Sequence, residues 1–373
     1  MCTSLKKKIM LVFGTRPEAI KMCPLVNELK ARSSIETLVV VTGQHRQMLA
    51  QVLEVFHVIP DYDLSIMKEK QSLFDITINV LDNLKGILEE TNPDVVLVYG
   101  DTNTTFATSL ACFYMKIPIG HVEAGLRTYN VYSPWPEEFN RQVVSMISSY
   151  NFAPTALAFQ NLIDEKRNSE MIWITGNTVI DALKTTVKTD YSHSELVWAS
   201  DCRLILITAH RRENLGTNMY NMFRAIKRVL DEHSDVKAIY PIHMNPLIRS
   251  AAKEIFTNND KIHIIEPLDV LDFHNFLSKS YLVITDSGGI QEEAPALAKP
   301  VLVMRDTTER PEGVIAGTLK LVGTSEEVIY NEFTLLLNNK DVYDSMAQAV
   351  NPYGDGHASE RIADILEFGE MRH

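Results

Sequence analysis

The chain has 373 residues, 45% hydrophobic and 23% charged, a globular composition too long for one ordinary core, so two domains are expected. Lys and Arg number 36 against 48 Asp and Glu; the net charge of -12 supplies no general field for nucleic acid or anionic lipid, and neither is an expected partner. An anionic ligand therefore requires a locally basic site.

The N-terminal "LKKKIMLVFG" places basic residues before an apolar stretch, but the stretch is too short for a signal-peptide core, and no run approaches the roughly 18 apolar residues of a membrane span. Cys2, Cys23, Cys112 and Cys202 lie far apart without metal-type spacing and read as reduced, structural thiols of a cytoplasmic protein. His45, His121 and His243 show no H-E-x-x-H pattern, so no metal is expected.

In chain order, β-rich runs appear at "KIMLVF" (8–13), "TLVVVT" (37–42), "DVVLVY" (94–99) and "IPIGHVE" (117–123). Between them lie helical spacings such as Leu73, Ile76, Val80, Leu84 and Ile87. This rhythm predicts a parallel sheet covered on both faces. It continues through "MIWIT" (171–175), meets the polar stretch 188–201, and restarts with "RLILIT", "VKAIYP", "IHIIEP", "YLVITD" and "PVLVMR". The prediction is an α/β chain of two doubly wound domains. Residues 1–170 form the first, with a terminal helix in 357–373 packed on it, and residues 171–356 form the second.

Ligands of open α/β sheets collect beyond the carboxyl ends of the strands. There the sequence places "GTRPEAIK", "GDTNTT", "HVEAGLRT", "AHRRENLG" and "DSGGIQEE", five clusters that mix Gly, Arg, His and carboxylates. Ser287, Gly288 and Gly289 form a turn into a helix, where backbone N–H groups and the dipole suit a diphosphate. Glu292 and Glu293 follow in its first turn; either complements the dipole, or one accepts hydrogen bonds from a ribose diol. No G-x-G-x-x-G or G-x-x-x-x-G-K-[ST] motif follows a strand, which disfavours a dinucleotide cofactor or a P-loop.

Together, "FGTRPEAIKMCPLV", "VYGDTNTTFATSLACFYMKIPIGHVEAGLRT", "SPWPEEFNRQ", "TGNTVIDAL", "TAHRRENLG", "YPIHMNP", "EPLDVLDFHNF", "TDSGGIQEEAP" and "RDTTERPEG" resemble the non-hydrolysing UDP-N-acetylglucosamine 2-epimerases from about residue 8 to about 365. The resemblance implies a glycosyltransferase-B architecture of two Rossmann-like domains with an interdomain active site, a homodimer, and interconversion of UDP-N-acetylglucosamine and UDP-N-acetylmannosamine for cell-surface polysaccharide synthesis. The chemistry fits without a cofactor: elimination of UDP makes the C2 hydrogen labile, and re-addition after protonation on the other face inverts C2.

The resemblance assigns proton transfer to Asp101, Glu123 and Glu137, and a hydrogen bond or proton for the leaving group to His210. Arg16, Lys21 and Arg310 match positions around the nucleotide and its diphosphate, Ser287, Gly288 and Gly289 the phosphate turn, Glu293 the ribose ligand and Phe273 the uracil contact. A regulatory site for a second UDP-N-acetylglucosamine matches Gln44, Gln47, Lys70, Glu137, Arg211 and His243, with Lys70 standing where an arginine is expected. Taken singly, Arg16 suits a surface ion pair, Asp101 a helix cap, Glu137 an acidic first turn and His210 a structural role. A hydrolysing epimerase, a glycosyltransferase and a nucleotide-sugar sensor are the competing functions.

Overall fold

The computed structural model describes residues 6–43, 46–66 and 71–371, without the side chains of Arg46, Gln47 and Arg212. It divides into two compact units: Met1–Thr185 with Tyr353–His373, and Thr186–Pro352.

The first unit is built on seven parallel strands: β1 (Lys7–Phe13), β2 (Ile35–Val41), β3 (Tyr62–Asp63), β4 (Val95–Tyr99), β5 (Ile119–Val122), β6 (Tyr150–Ala153) and β7 (Ile172–Ile174). Their order is β3-β2-β1-β4-β5-β6-β7. All five residues of β4, "VVLVY", are buried, as a strand covered on both faces requires. Met10, Val12, Val96 and Val98 face Ile76, Val80, Leu84 and Leu88 of the helix Leu73–Thr91; of the anticipated stripe Ile76, Val80 and Leu84 are buried, Leu73 and Ile87 are partly buried, and Leu88 completes the face.

The second unit carries β8 (Arg203–Thr208), β9 (Val236–Pro241), β10 (Ile262–Ile265), β11 (Leu282–Thr285), β12 (Val301–Val303) and β13 (Leu319–Leu321), ordered β10-β9-β8-β11-β12-β13 and parallel throughout. One face packs Ile205, Ile207, Leu282 and Ile284 under Met222, Phe223 and Ile226 of the helix Thr217–Glu232. The other packs Leu204, Leu206 and Val283 against Phe276 and Leu277.

Residues 171–185, which the sequence pattern placed with the second domain, belong to the first unit, because β7 continues the first sheet beside β6. The terminal helix Ala358–Phe368 packs on the helix Arg16–Ala31, where Arg32 Nη1 lies 2.7 Å from Asp364 and 3.0 Å from Glu367. In each sheet the strand order reverses where the unit's first strand meets a later one, at β1/β4 and at β8/β11. Loops leaving the carboxyl ends of such strands diverge and leave a crevice.

Candidate active site

At the first crevice the chain leaves β1 through Gly14, where a Cβ would collide with the Thr42 hydroxyl. It then enters the helix Arg16–Ala31 through a capping box. Thr15 accepts from the Glu18 N–H, and Glu18 Oε2 accepts from the N–H groups of Gly14 (3.0 Å) and Thr15 (2.7 Å). A cap of this kind contributes about 1 kcal/mol. Here it has a second use, since Glu18 Oε1 accepts from the Thr102 hydroxyl at 2.6 Å, tying the turn that carries Arg16 to the turn that carries Asp101. Glu18 is buried, and its burial raises its pKa against those hydrogen bonds.

Asp101 follows Gly100, whose φ of 62° lies in the left-handed region open to glycine. The Gly100 carbonyl lies 2.7 Å from His121 Nε2. Burial pushes the pKa of His121 down to about 4, so the neutral ring carries its proton on Nε2 and donates it there. The Asp101 carboxylate is held by Arg141 from the helix Glu137–Ile147, with Nε at 2.9 Å and Nη2 at 2.6 Å from Oδ2. Asn140 Nδ2 donates to the Asp101 carbonyl at 2.8 Å. Arg141 Nη1 also lies 3.0 Å from fully buried Glu138, which accepts the N–H groups of Thr128 and Tyr129. Burial alone would raise the Glu138 pKa; the bonds from Gln142, Thr128 and Tyr129, with Arg141, leave it below the ordinary value. Glu137, the first residue of that helix, is half-buried.

Glu123 leaves β5 with φ at 64°, a conformation that costs a non-glycine residue roughly 1–2 kcal/mol. Its Oε2 compensates by gathering three donors: Lys21 Nζ at 2.8 Å, Asn177 Nδ2 at 2.8 Å and the Tyr99 hydroxyl. The Lys21 and Glu123 side chains are only 12% and 9% exposed, and Lys21 Nζ lies 5.0 Å from the centre of the Tyr99 ring. Backbone strain of this kind persists only where the surroundings hold it, and it clusters at functional sites.

At the second crevice the organiser is Asp286, wholly buried after β11. It accepts the backbone N–H of His210 (3.0 Å), that of Arg211 (2.9 Å) and the side-chain amide of Asn214 (3.2 Å), while its carbonyl accepts from Arg211 Nε at 2.8 Å. The His210 ring lies 3.4 Å from Asp286 and stacks on His243 at 5.7 Å. Partial withdrawal from water, with His243 and Arg211 beside it, lowers its pKa against the pull of Asp286.

Past Ser287, Gly288 and Gly289 lead into the short helix Ile290–Ala296. A Cβ at Gly288 would stand 2.9 Å from Arg310 Nη1, so glycine there leaves the guanidinium its place. The adjacent carboxylates divide their work: buried Glu292 holds Arg310 Nε at 2.6 Å, whereas Glu293 lies 3.6 Å from His274 Nε2. Glu309 stands among Arg310, Arg305 and Arg211; burial opposes its ionisation, yet these cations bring its pKa down to about 2. Phe273 is partly buried beside His274.

The family model described as UDP-N-acetylglucosamine 2-epimerase matches residues 27–367. The chain belongs to the UDP-N-acetylglucosamine 2-epimerase family. It is similar to the UDP-N-acetylglucosamine 2-epimerase of Bacillus subtilis (strain 168), 59% identical over 97% of this chain and 96% of that one. It also resembles the S. aureus MnaA–UDP co-structure (TM-score 0.90, 50% identity, 97% of this chain and 96% of that one). The Neisseria meningitidis UDP-GlcNAc 2-epimerase bound to UDP-GlcNAc matches with a TM-score of 0.88 and 48% identity, over 96% of this chain and 99% of that one. The two doubly wound parallel domains have the glycosyltransferase-B fold, shared with a glycosyltransferase of Rickettsia africae (TM-score 0.63, 14% identity, 97% of this chain and 98% of that one).

Within this family member, Arg16, Asp101, Glu123 and Glu137 lie at strand ends or helix starts of the first unit and Lys21 in the second turn of the helix Arg16–Ala31, and His210, Arg211, His243, Phe273, Ser287, Gly288, Gly289, Glu293 and Arg310 lie in the second unit. Lys21, expected among the phosphate cations, pairs with Glu123. Gln44 and Lys70 lie outside the described residues, as does the Gln47 side chain. Glu18, Arg141, Asn177, Asp286 and His274 were not singled out from the sequence. All five stood inside quoted motifs, Glu18 in "FGTRPEAIKMCPLV", Arg141 in "SPWPEEFNRQ", Asn177 in "TGNTVIDAL", His274 in "EPLDVLDFHNF" and Asp286 in "TDSGGIQEEAP", but no spacing within those motifs shows which distant side chain each one meets. Among the described residues no helix is long and apolar enough to cross a membrane.

Proposed function

We propose that this chain interconverts UDP-N-acetylglucosamine and UDP-N-acetylmannosamine by elimination and re-addition of UDP, releasing neither free sugar nor UDP as net product. The Gly288–Gly289 turn and the Arg310 guanidinium hold the diphosphate, Glu293 accepts the ribose hydroxyls, Phe273 contacts uracil, and His210 donates to the departing phosphate oxygen. Arg16 is a further cation for the nucleotide's phosphates.

As the C1–O bond breaks, positive charge develops on C1 and the ring oxygen, and the neighbouring C2 hydrogen becomes acidic. A carboxylate takes the C2 proton, the electron pair of that bond forms C1=C2, and a glycal and UDP are left in place. Protonation of C2 from the opposite face and return of the UDP oxygen to C1 complete the inversion. Asp101, Glu123 and Glu137 share the two proton movements. The observation that carries this reading is the pair of Lys21 and Glu123 at the first crevice, where a carboxylate is kept in a strained, almost dry position. The UDP-GlcNAc bound by the Neisseria meningitidis relative supports the substrate.

The reaction supplies an activated sugar for cell-surface polysaccharide, and a second UDP-N-acetylglucosamine activates it through the site matched by Gln44, Gln47, Lys70, Glu137, Arg211 and His243. The exposed Phe74, Ile78 and Tyr114 support a homodimer. Incubation with UDP-N-acetylglucosamine alone, followed by product separation, tests the reading. UDP-N-acetylmannosamine is the expected product; free N-acetylmannosamine with UDP identifies a hydrolysing enzyme, and a requirement for an acceptor identifies a transferase.

A further inference from the structure

The Glu123 carboxylate is fixed by side chains whose own placement leads back to the C-terminal end of the chain. Of its three donors, Asn177 stands in the turn between β7 and the helix Thr178–Thr186, 54 residues away in sequence. Its Oδ1 accepts the Val179 N–H at 3.1 Å, which aims the amide NH2 at Glu123. Its backbone N–H donates to the Tyr353 carbonyl at 2.8 Å.

Residues of the returning segment hold that turn at several further points. Gly176 and Gly354 approach so closely that a Cβ built on Gly354, at φ 125°, would stand 3.2 Å from the Gly176 Cα and 3.4 Å from the Asn177 nitrogen. Arg361 Nη1 donates to the Thr175 carbonyl at 3.1 Å. One turn along from Asn177, buried Asp181 accepts the N–H groups of Ala358 (3.2 Å) and Ser359 (2.7 Å), capping the terminal helix. The same helix packs on Arg16–Ala31, the helix that carries Lys21. Two of the three donors to Glu123 thus stand on elements braced by residues 353–368.

We propose that Asn177 is a positioning residue for Glu123, and that the returning segment Tyr353–Phe368 acts on the reaction by holding Asn177 in place. The inference rests on the assignment of Glu123 to proton transfer at C2. Asn177 donates to the Glu123 carboxylate and keeps that oxygen oriented, while Lys21 supplies the positive partner. A purely structural role would use only the Oδ1 cap to Val179 and the backbone bond to Tyr353.

The variant Asn177→Asp separates the two. Aspartate keeps the cap acceptor, the backbone N–H and the shape, but replaces the donor to Glu123 by a second negative oxygen. The expected result in the full-length protein is a loss of kcat on the order of 10²-fold with the dissociation constant of UDP unchanged. Gly354→Ala, which presses on Gly176 and Asn177 without touching Glu123, is expected to lower kcat in the same direction with thermal unfolding recorded alongside. An Asn177→Asp protein with wild-type kcat, or one whose loss lies wholly in weaker UDP binding, overturns the inference. The wild-type chain assayed in parallel keeps this outcome separate from failure of the functional reading: if wild type itself exchanges no C2 hydrogen with solvent, the assignment of Glu123 falls first.

Discussion

Arg141 grips a single oxygen of Asp101 with two nitrogens, Nε at 2.9 Å and Nη2 at 2.6 Å, while its third nitrogen lies 3.0 Å from buried Glu138. One guanidinium thus fixes a carboxylate at the end of β4 and the carboxylate that holds the Thr128–Tyr129 backbone. Arg141→Met is expected to lower kcat on the order of 10²-fold by freeing Asp101, and to destabilise the protein by about 2 kcal/mol. That is below the full cost of a broken buried pair because Glu138 keeps its bonds from Thr128, Tyr129 and Gln142. Steady-state kinetics and urea unfolding of the same preparation measure both effects. Unchanged kcat in a destabilised variant would confine Arg141 to folding.

The sequence made the strand ends legible and left their wiring hidden. Motifs such as "GTRPEAIK" and "DSGGIQEE" mark where the chain leaves a buried strand, because apolar runs end there in Gly and charge. No spacing rule says that Arg141 meets Asp101 forty positions earlier, or that Asn177 meets Glu123, since those contacts arise only when β4, β5 and β7 lie in one sheet. The strands β3, β6 and β13 were missed for a local reason: "YD", "YNFA" and "LKL" are short and broken by polar residues, whereas equally short strands such as "IWI" and "VLV" lie in continuous apolar runs. The boundary near residue 170 failed similarly, because an apolar "IWI" reads alike whether it closes one sheet or opens the next.

Glu292 and Glu293 are expected to separate by assay. Glu293→Ala weakens UDP binding by about 1.5–3 kcal/mol, the value of hydrogen bonds to a charged group, as calorimetric titration with UDP will show. Undiminished affinity in a folded variant removes Glu293 from the ribose.

His121 gives a pH signature to stability. Its folded pKa, about 4, lies below the ordinary histidine value, so the unfolded chain binds the proton more readily. The contribution is intact above about pH 6.5 and is lost as pH falls toward 4, amounting to about 3 kcal/mol over that window. His121→Gln removes this dependence. The difference in unfolding free energy between wild type and variant is therefore expected to shift against wild type as pH drops through the window. A difference independent of pH contradicts a neutral, buried His121.

Highly pure UDP-N-acetylmannosamine is expected to turn over slowly by itself, with a trace of UDP-N-acetylglucosamine relieving the lag in a saturable way, because activation through a closed state saturates with ligand. Gln44→Ala combined with Gln47→Ala is expected to blunt that response in a folded protein. Prompt reverse turnover without any response to added UDP-N-acetylglucosamine excludes the regulatory site.

Turnover in heavy water reads the chemistry itself. Wild-type protein is incubated with UDP-N-acetylglucosamine and no added cofactor, and the recovered UDP-sugars are analysed for isotope at C2. Elimination and re-addition of UDP require the C2 hydrogen to leave as a proton, so deuterium is expected at C2 of UDP-N-acetylmannosamine and, as equilibrium is approached, of UDP-N-acetylglucosamine as well. Full turnover with the original hydrogen retained at C2, or turnover that strictly requires added NAD, would show that this chain inverts the sugar by another route.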